Sequence, residues 1–400
     1  MPEGIPLLVV VGTRPDAVKM APVVRALRSD PAFAPVLVAT AQHREMLDQV
    51  LRLFDLQPDL DLNVMRPRQT LTDVTVRTLE GLDRVVRTVQ PAMVLVQGDA
   101  APSFCGALAA FYHRIPIAHV EAGLRTYEKY RPFPEEMYRH MTGVLADLHF
   151  APTPRARQNL LREGVAPERI HVTGNTVIDA LLWIAPHWLG EDRVVRLRPG
   201  SRMVLVTAHR RESWGEPLRG ICEALRRLVD RFPDVEIVFP VHRNPVVREV
   251  VGAVLGGCDR VHVIEPPDYG PFVALERRAY LILTDSGGVQ EEAPTFGTPV
   301  LVLRETTERP EGIEAGVAKL VGTDPDRIVT EAARLLTDPV AHARMAHATN
   351  PYGDGRAAER IRKILRVYFG LSNSLPEPFE PEAAPQNLFP SGFVESKGSP

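Results

Sequence analysis

Cysteine is scarce in this chain of 400 residues, and the three cysteines, Cys105, Cys222 and Cys258, lie far apart. No Cys-x-x-Cys pair or Cys/His cluster occurs, which argues against a zinc motif and a disulfide framework. Long apolar runs are also missing, since none reaches the roughly 18 residues of a membrane-spanning helix. The N-terminus lacks the charged and apolar regions of a signal peptide. These absences predict a cytoplasmic protein without a membrane partner.

Lysine is almost as rare, with 5 lysines against 42 arginines, while the net charge is only −3. A chain so close to neutral has no general attraction for nucleic acid or for an anionic membrane. The bias towards arginine is what a GC-rich coding sequence would give, but arginine is also the better bidentate partner for phosphate. Composition therefore argues against a nucleic-acid partner and leaves phosphorylated small molecules open.

Short apolar runs rich in β-branched residues alternate with amphipathic helical stretches through most of the chain. Continuous apolarity indicates strands that are covered on both faces, as in a parallel sheet. Strands alternating with helices predict an α/β doubly wound architecture. The pattern pauses at residues 187–202 and then restarts. Because 400 residues exceed one ordinary core, we predict two Rossmann-like parallel-sheet domains with a cleft between them.

The predicted boundaries follow this pattern. An N-terminal domain spans residues 1–185, and a C-terminal domain spans residues 186–352. A final helix occupies residues 353–370. Residues 371–400 are rich in Pro, Glu and Ser without periodicity, which predicts a disordered tail.

Three carboxylates follow or flank successive elements of the first half: Asp99 after "VLVQG", Glu121 after "IAHV", and Glu135 at the start of "EEMYRH". Open parallel sheets bind ligands outside the carboxyl ends of their strands. Carboxylates held close together have separated pKa values, so that one can act as acid and another as base. Asp99 could instead cap a helix, and Glu135 could be an ordinary first-turn carboxylate. Glu121 has neither alternative and is the strongest candidate.

The segment "TDSGGVQEE" places Ser286, Gly287 and Gly288 between a predicted strand and a helix, where backbone N–H groups favour an anion. A tight glycine turn with a serine cap is the alternative. "TAHRRESWGEP" puts His209 beside arginines at another strand end, which an anion would stabilise. The chain has no G-x-G-x-x-G fingerprint and no Walker lysine motif, so NAD and ATP are poorly supported.

Nine segments in one order resemble the bacterial non-hydrolysing UDP-N-acetylglucosamine 2-epimerases, over about residues 5–369. They are "GTRPDAVKMAPV", "TAQHREMLDQVL", "HVEAGLRT", "PFPEE", "VTGNTVIDAL", "TAHRRESWGEP", "ILTDSGGVQEEAP", "TTERPE" and "NPYGDG". The resemblance implies the two-domain GT-B fold, with a final helix that packs back on the first domain. It also implies a homodimer and interconversion of UDP-GlcNAc and UDP-ManNAc without NAD or metal.

The resemblance implies a role for each candidate residue. Asp99, Glu121 and Glu135 match the catalytic acids, and His209 matches a catalytic or phosphate-stabilising histidine. The implied nucleotide contacts are Arg14, Lys19, Phe272, Ser286, Gly287, Gly288, Glu292 and Arg309. A second, regulatory UDP-GlcNAc would be lined by Gln42, His43, Gln69, Arg210 and His242.

The sequence departs from the family pattern at Ala100 and Ala101, which lack hydroxyls, and at Tyr138, Pro267 and Arg131, where Asn, Gln and Ser are common. These departures bear on substrate fit more than on the chemistry. Epimerisation at C2 is the leading hypothesis. A hydrolysing epimerase, a GT-B glycosyltransferase, an epimerase of a diacetamido UDP-sugar and a catalytically weak UDP-sugar sensor remain as alternatives.

Overall fold

The structure, a computed structural model, describes residues 4–40, 44–66, 69–188, 194–210 and 213–381. The chain forms two compact units. Unit 1 consists of the chain up to Trp183 together with Tyr352–Glu380, and unit 2 consists of Ile184–Pro351. Both units are α/β with an entirely parallel sheet, which confirms the fold class predicted from the apolar runs.

Unit 1 is built on a seven-stranded sheet in the order β3-β2-β1-β4-β5-β6-β7. The central strands are fully buried because helices cover both faces, which explains their unbroken apolar sequences. The strands are β1 (Ile5–Val11), β2 (Phe33–Ala39), β3 (Leu60–Asp61), β4 (Met93–Gln97), β5 (Ile117–Val120), β6 (Leu148–Ala151) and β7 (Ile170–Val172). The helices are α1 (Arg14–Arg28), α2 (Arg44–Leu53), α3 (Leu71–Val89), α4 (Ala101–Tyr112), α5 (Glu135–Leu145), α6 (Pro154–Arg162) and α7 (Thr176–Ile184).

Unit 2 is built on a six-stranded sheet in the order β10-β9-β8-β11-β12-β13. Its core lies between these strands and the apolar faces of the helices. The strands are β8 (Arg202–Thr207), β9 (Val235–Pro240), β10 (Val261–Ile264), β11 (Leu281–Thr284), β12 (Val300–Val302) and β13 (Ala318–Leu320). The helices are α8 (Glu216–Arg231), α9 (Pro245–Leu255), α10 (Tyr269–Arg278), α11 (Gly287–Glu292), α12 (Pro310–Glu314), α13 (Pro325–Thr337) and α14 (Pro339–Ala346).

The last helix, α15 (Ala357–Tyr368), belongs to unit 1 and packs against α1. Asp30, which follows α1, accepts hydrogen bonds from Arg362 at 2.7 Å and from Arg366 at 2.8 Å. At the other end of α15, the Asp179 carboxylate accepts the backbone N–H groups of Ala357 and Ala358, at 3.2 and 2.8 Å. The helix is thus tied to unit 1 at both of its ends.

Residues 371–381 differ from the disordered tail that their composition predicts. They contain no helix or strand, yet Phe379 is only 3% exposed. The backbone N–H of Phe379 donates to the Val172 carbonyl at 2.8 Å, on β7. A single aromatic anchor therefore orders a segment whose overall composition lacks the apolar periodicity of a helix or strand. Residues 382–400 of the predicted tail lie outside the described residues.

Within the residues that the structure describes, no helix is both long and apolar enough to cross a membrane.

Candidate active site

Each sheet has a point where the strand order reverses. The candidate residues lie at the carboxyl edges of the two sheets. In unit 1 the reversal falls between the neighbours β1 and β4, and in unit 2 between β8 and β11. The connections that leave two neighbouring strands in opposite directions open a crevice at this position, which is where doubly wound sheets bind their ligands.

Glu121 directly follows β5 and is only 8% exposed. Its carboxylate forms an ion pair with the Lys19 ammonium of α1 and accepts a hydrogen bond from the Gln97 amide. The Asn175 side chain donates to Glu121 Oε1 at 3.1 Å. Such partners offset the large cost of burying a charge. The ion pair places the Lys19 ammonium beside the Glu121 carboxylate. That Lys19 contacts substrate phosphates stays a prediction.

The backbone of Glu121 is itself unusual, with a φ of 63°. A residue with a Cβ enters this left-handed region only at a cost, and such strain is concentrated at functional sites. The contacts of its carboxylate with Lys19, Gln97 and Asn175 hold the residue in place. The conformation turns the chain at the strand end and directs the carboxylate towards Lys19 rather than into the sheet.

Asp99 lies on the turn after β4, next to β5 in the sheet, as the sequence predicts for neighbouring acids. Its carboxylate pairs with Arg139 of α5. Arg139 also lies 3.3 Å from Glu136. Glu135 opens α5 and precedes Arg139 by one helical turn, so it shares that face of the helix. The structure thus places Asp99 beside the first turn of α5.

Two buried histidines lie beneath these acids. His119 of β5 is completely buried and its Nε2 donates to the Gly98 carbonyl at 2.8 Å, immediately before Asp99. Burial lowers the pKa of His119 to about 3, and burial also lowers the pKa of His149, on the neighbouring strand β6, to about 4. Both rings are neutral at physiological pH, so His119 braces the Asp99 turn and does not supply a charge.

Tyr138, one of the departures from the family pattern, packs against an aromatic ring. It stacks on Phe104 of α4 with ring centroids 5.4 Å apart and an interplanar angle of 9°. Offset or parallel ring pairs of this kind are favourable contacts. The larger side chain is therefore accommodated between α4 and α5 without displacing Arg139, the next residue along.

Arg14 is the first residue of α1 and is half-buried. Beside it the Asp16 carboxylate accepts the backbone N–H groups of Gly12 and Thr13, both at 3.0 Å. Burial raises the pKa of Asp16 to about 6. The Asp16 side chain therefore caps the start of α1. Arg14 adds a positive charge at this edge of the sheet.

His209 follows β8 in unit 2 and pairs with Asp285, which follows the neighbouring strand β11. His209 Nδ1 lies 3.0 Å from Asp285 Oδ1, and the backbone N–H groups of His209 and Arg210 donate to Oδ2, each at 2.9 Å. Burial alone would raise the pKa of Asp285, but these hydrogen bonds and the nearby histidine lower it overall. Asp285 thus fixes the ring orientation of a histidine whose side chain is 49% exposed.

Three arginines converge on one buried carboxylate near this pair. Glu308 accepts hydrogen bonds from Arg304 at 2.7 Å, from Arg309 at 2.5 Å and from Arg210 at 3.1 Å. Although burial raises the pKa of Glu308, the charges of the three arginines outweigh it and hold that pKa well below the usual range. The three guanidinium groups at this edge of the sheet are of the kind that binds phosphate in bidentate fashion.

Arg309 lies directly against the turn at Gly287. A Cβ placed on Gly287 would fall 2.3 Å from an Arg309 guanidinium nitrogen, so only glycine permits the observed position of that group. Arg309 is held there by Glu291, at 2.7 Å from its Nε. A Cβ placed on the neighbouring Gly288 would have Ser286 Oγ as its nearest atom, at 3.9 Å, so a methyl group fits there without a clash. Gly287 is therefore required by the packing of Arg309, whereas Gly288 leaves room for a side chain.

The remaining predicted nucleotide contacts are also in unit 2. Glu292 ends α11, is 6% exposed, and accepts a hydrogen bond from the Tyr269 hydroxyl at 3.1 Å. Phe272 of α10 packs, partly buried, on the core beneath. The structure thus gathers the predicted residues of unit 2 around the carboxyl ends of β8 and β11. Their nucleotide contacts stay predictions.

We expect Gly287→Ala to lower the free energy of unfolding by about 1–3 kcal/mol, because the new methyl group must displace the Arg309 guanidinium. Gly288→Ala is the matched control, since its Cβ meets open space, and it should be neutral or slightly stabilising. Urea unfolding of both variants measures the difference. Equal stability of the two would contradict the described position of Arg309.

The residues predicted to line a regulatory site come from both units. Gln69 of unit 1 accepts the backbone N–H of Arg66 at 3.0 Å. In unit 2, Arg210 binds Asp285 and Glu308, and His242 lies with its ring centroid 6.5 Å from that of Trp214. Gln42 and His43 lie outside the described residues. No group of three or more His, Cys, Asp and Glu side chains among the described residues is placed to hold a metal ion.

Several functional residues were not found by the sequence reasoning. Asn175, Gln97 and Arg139 contact the acids, and Asp285 and Glu308 hold the cationic groups of unit 2. Two signals were available, because Asn175 follows the strand "IHV" and Asp285 follows "LILT". Applying the strand-end rule to every polar residue would have selected both.

Fold and site together define a class of protein: a two-domain α/β enzyme of the GT-B type, with paired acids on one sheet edge and an arginine cluster on the other. A family model described as UDP-N-acetylglucosamine 2-epimerase matches residues 25–366. The chain belongs to this family. The family and the isomerase class predicted from the sequence are thereby confirmed.

Individual relatives agree with this assignment. A Yersinia pestis UDP-N-acetylglucosamine 2-epimerase is 54% identical over 368 residues, covering 90% of this chain and 98% of the relative. The crystal structure of a putative UDP-N-acetylglucosamine 2-epimerase from Listeria monocytogenes has a TM-score of 0.88 at 50% identity, covering 94% of this chain and 99% of its own. The Neisseria meningitidis enzyme, solved with UDP-GlcNAc bound, has a TM-score of 0.86 at 44% identity and covers 90% of this chain and 99% of its own.

Proposed function

We propose that this chain interconverts UDP-GlcNAc and UDP-ManNAc by inverting C2 of the sugar. The family membership and the bound UDP-GlcNAc of the Neisseria relative support this substrate. The observation that carries the proposal is Glu121, a strained and buried carboxylate at a strand end, beside the turn that bears Asp99. Strained and buried charges of this kind are concentrated at functional sites, and proton transfer at carbon needs carboxylates in fixed positions.

The proposed reaction is an elimination followed by a re-addition. A base removes the C2 proton and the C1–O bond to UDP breaks, which leaves 2-acetamidoglucal and UDP. UDP then adds back to C1, and an acid returns a proton to the opposite face of C2. Among Asp99, Glu121 and Glu135, one acts as base and another as acid, because general acid–base catalysis needs both forms.

Unit 2 would hold the leaving nucleotide. Arg309 and the other arginines around Glu308 stabilise the negative charge that UDP gains as the C1–O bond breaks. His209, oriented by Asp285, donates a hydrogen bond or a proton to the departing phosphate oxygen. Ser286, Gly288 and Glu292 border this region and are proposed to bind the nucleotide.

The test is turnover of UDP-GlcNAc in D₂O, followed by NMR and mass spectrometry. Both UDP-GlcNAc and UDP-ManNAc should accumulate, and each should carry deuterium at C2, because the abstracted proton exchanges with solvent. A C2 position that keeps its hydrogen would contradict the elimination. Free ManNAc and UDP as the sole stable products would instead indicate a hydrolysing epimerase.

We further propose that the enzyme acts in the cytoplasm as a homodimer that a second UDP-GlcNAc regulates. The three cysteines are free thiols, which suits a reducing compartment. Sigmoidal dependence of the rate on UDP-GlcNAc, together with the mass of the particle in solution, would distinguish a regulated dimer from an independent monomer.

A further inference from the structure

Residues 371–380, here termed the strap, follow α15 and end on a buried aromatic ring. Within the strap, Leu375 is 52% exposed, whereas Phe379 is 3% exposed. The strap lies beyond residue 366, where the match to the family model ends. The strap belongs to unit 1.

Two groups hold the strap in place. The backbone N–H of Phe379 donates to the carbonyl of Val172, the last residue of the edge strand β7. Arg360 of α15 donates from Nε to the Glu377 carbonyl at 3.1 Å, and its guanidinium carbon lies 5.8 Å from the centre of the Phe379 ring. The strap is therefore fixed by main-chain hydrogen bonds and by a cation–π contact.

The ring covers the turn that leads out of β7. A Cβ on Gly174 would lie 3.5 Å from Phe379 Cγ, so the ring lies beside this glycine with room for no more than a methyl group between them. Arg360 Nη1 also donates to the Thr173 carbonyl at 3.1 Å, and Nη1 and Nη2 each donate to the Asp354 carboxylate at 2.7 Å. Phe379 and Arg360 together enclose the backbone of Thr173 and Gly174.

The enclosed turn continues into Asn175, which contacts Glu121. The backbone N–H of Asn175 donates to the Tyr352 carbonyl at 2.7 Å, and its side chain donates to Glu121 Oε1 at 3.1 Å. Asn175 is 2% exposed, so its position is set by this turn and not by solvent. A continuous series of contacts therefore runs from Phe379 through Gly174 and Asn175 to the Glu121 carboxylate.

We propose that Phe379 is a positioning residue for the epimerase reaction. The strap holds Phe379 against the Gly174–Asn175 turn, and the clamped turn orients Glu121. This rests on the proposed function, in which Glu121 handles a proton at C2. The strained backbone of Glu121 explains why such a clamp is useful, because a residue with a φ of 63° relaxes when its contacts loosen.

The test is a double-mutant cycle between Phe379 and Asn175 in the full chain, measured well below the unfolding temperature. Phe379→Ala should lower kcat about fivefold with KM unchanged, because a small misplacement of a reacting group costs rate and not substrate binding. In the Asn175→Ala background the same change should lower kcat by less than about 1.5-fold, since the coupled contact is already gone. Equal losses in both backgrounds would overturn the proposal.

Two further variants separate positioning from general damage. Leu375→Ala removes an exposed side chain of the same strap and should leave kcat unchanged. Phe379→Leu keeps apolar contact with Gly174 and should recover most of the lost rate. An alanine variant at Phe379 that loses no rate, or a leucine variant as impaired as the alanine variant, would contradict the positioning role.

Amide hydrogen exchange tests the clamp without any turnover. The Asn175 amide should exchange faster in Phe379→Ala than in the wild type, and not in Leu375→Ala, because the enclosed turn opens more often. Unchanged exchange at Asn175 would overturn the clamp. A wild-type chain that does not epimerise UDP-GlcNAc would overturn the proposed function instead, and the exchange measurement would still decide on the clamp.

Discussion

Replacing Glu121 by glutamine should lower the rate of epimerisation by about a thousandfold or more, because the amide can neither accept nor return the C2 proton. The replacement preserves shape and the hydrogen bond from Asn175. Deuterium entry at C2 should fall in parallel with turnover, which follows if Glu121 acts in proton transfer. Measuring both in D₂O separates a chemical defect from slow product release.

The Glu121→Gln variant should also be less stable, because it leaves the Lys19 ammonium buried without its anion. Removing one partner of a buried pair costs about 3–5 kcal/mol. Adding Lys19→Met should recover much of the stability without recovering activity. Glu128→Gln, which alters an exposed carboxylate on the loop that follows, is the matched control and should behave as the wild type. Wild-type turnover in Glu121→Gln would refute the assigned role.

Asp285→Asn should lower the rate roughly a hundredfold, because His209 loses the carboxylate that orients its ring. It should also reduce the free energy of unfolding by about 3 kcal/mol, since the N–H groups of His209 and Arg210 lose a charged acceptor. Kinetics and denaturant unfolding at pH 7 measure the two losses. Asp338→Asn is the matched control, because Asp338 also accepts two backbone N–H groups, at the start of α14 and away from the site.

The stability difference between wild type and Asp285→Asn should depend on pH. The folded-state pKa of Asp285 lies below the ordinary value of about 3.9 for an unfolded aspartate. The stabilisation is therefore fully present above about pH 5 and is lost as the pH falls from that ordinary value through the lower folded-state pKa. Denaturant midpoints of the two proteins should converge in acid. A difference that stays constant down to pH 3 would contradict the charge-assisted contacts.

The parallel sheets and the edge that carries the site were predictable from the sequence, because both depend on local patterns. Unbroken apolar runs such as "LLVVV" and "MVLV" specify strands buried on both faces. The strand-end rule then places Asp99 and Glu121 side by side, as β4 and β5 are neighbours. Neither step needs knowledge of distant contacts.

The partners of these residues were not predictable, because they depend on contacts between distant parts of the chain. Lys19 and Glu121 are 102 residues apart in sequence, and the choice of Glu121 as the partner of Lys19 follows only from the packing of α1 against the sheet. Arg139 is not singled out by the sequence, since its contact with Asp99 requires the placement of α5 against the turn after β4. Phe379 was included in a disordered tail because composition cannot detect a single anchoring ring.

The discontinuity of unit 1 has a consequence for how the protein is made. Residues 184–351 of unit 2 form one continuous stretch, which can fold while translation is still in progress, as domains commonly do. Unit 1 begins first but is completed only later, because α15 and Phe379 follow residues 184–351 in the chain. Until then α1 lacks its partner helix, and the turn at Gly174 lacks its cover. The acid edge of the enzyme is thus completed only after residues 184–351 have been translated.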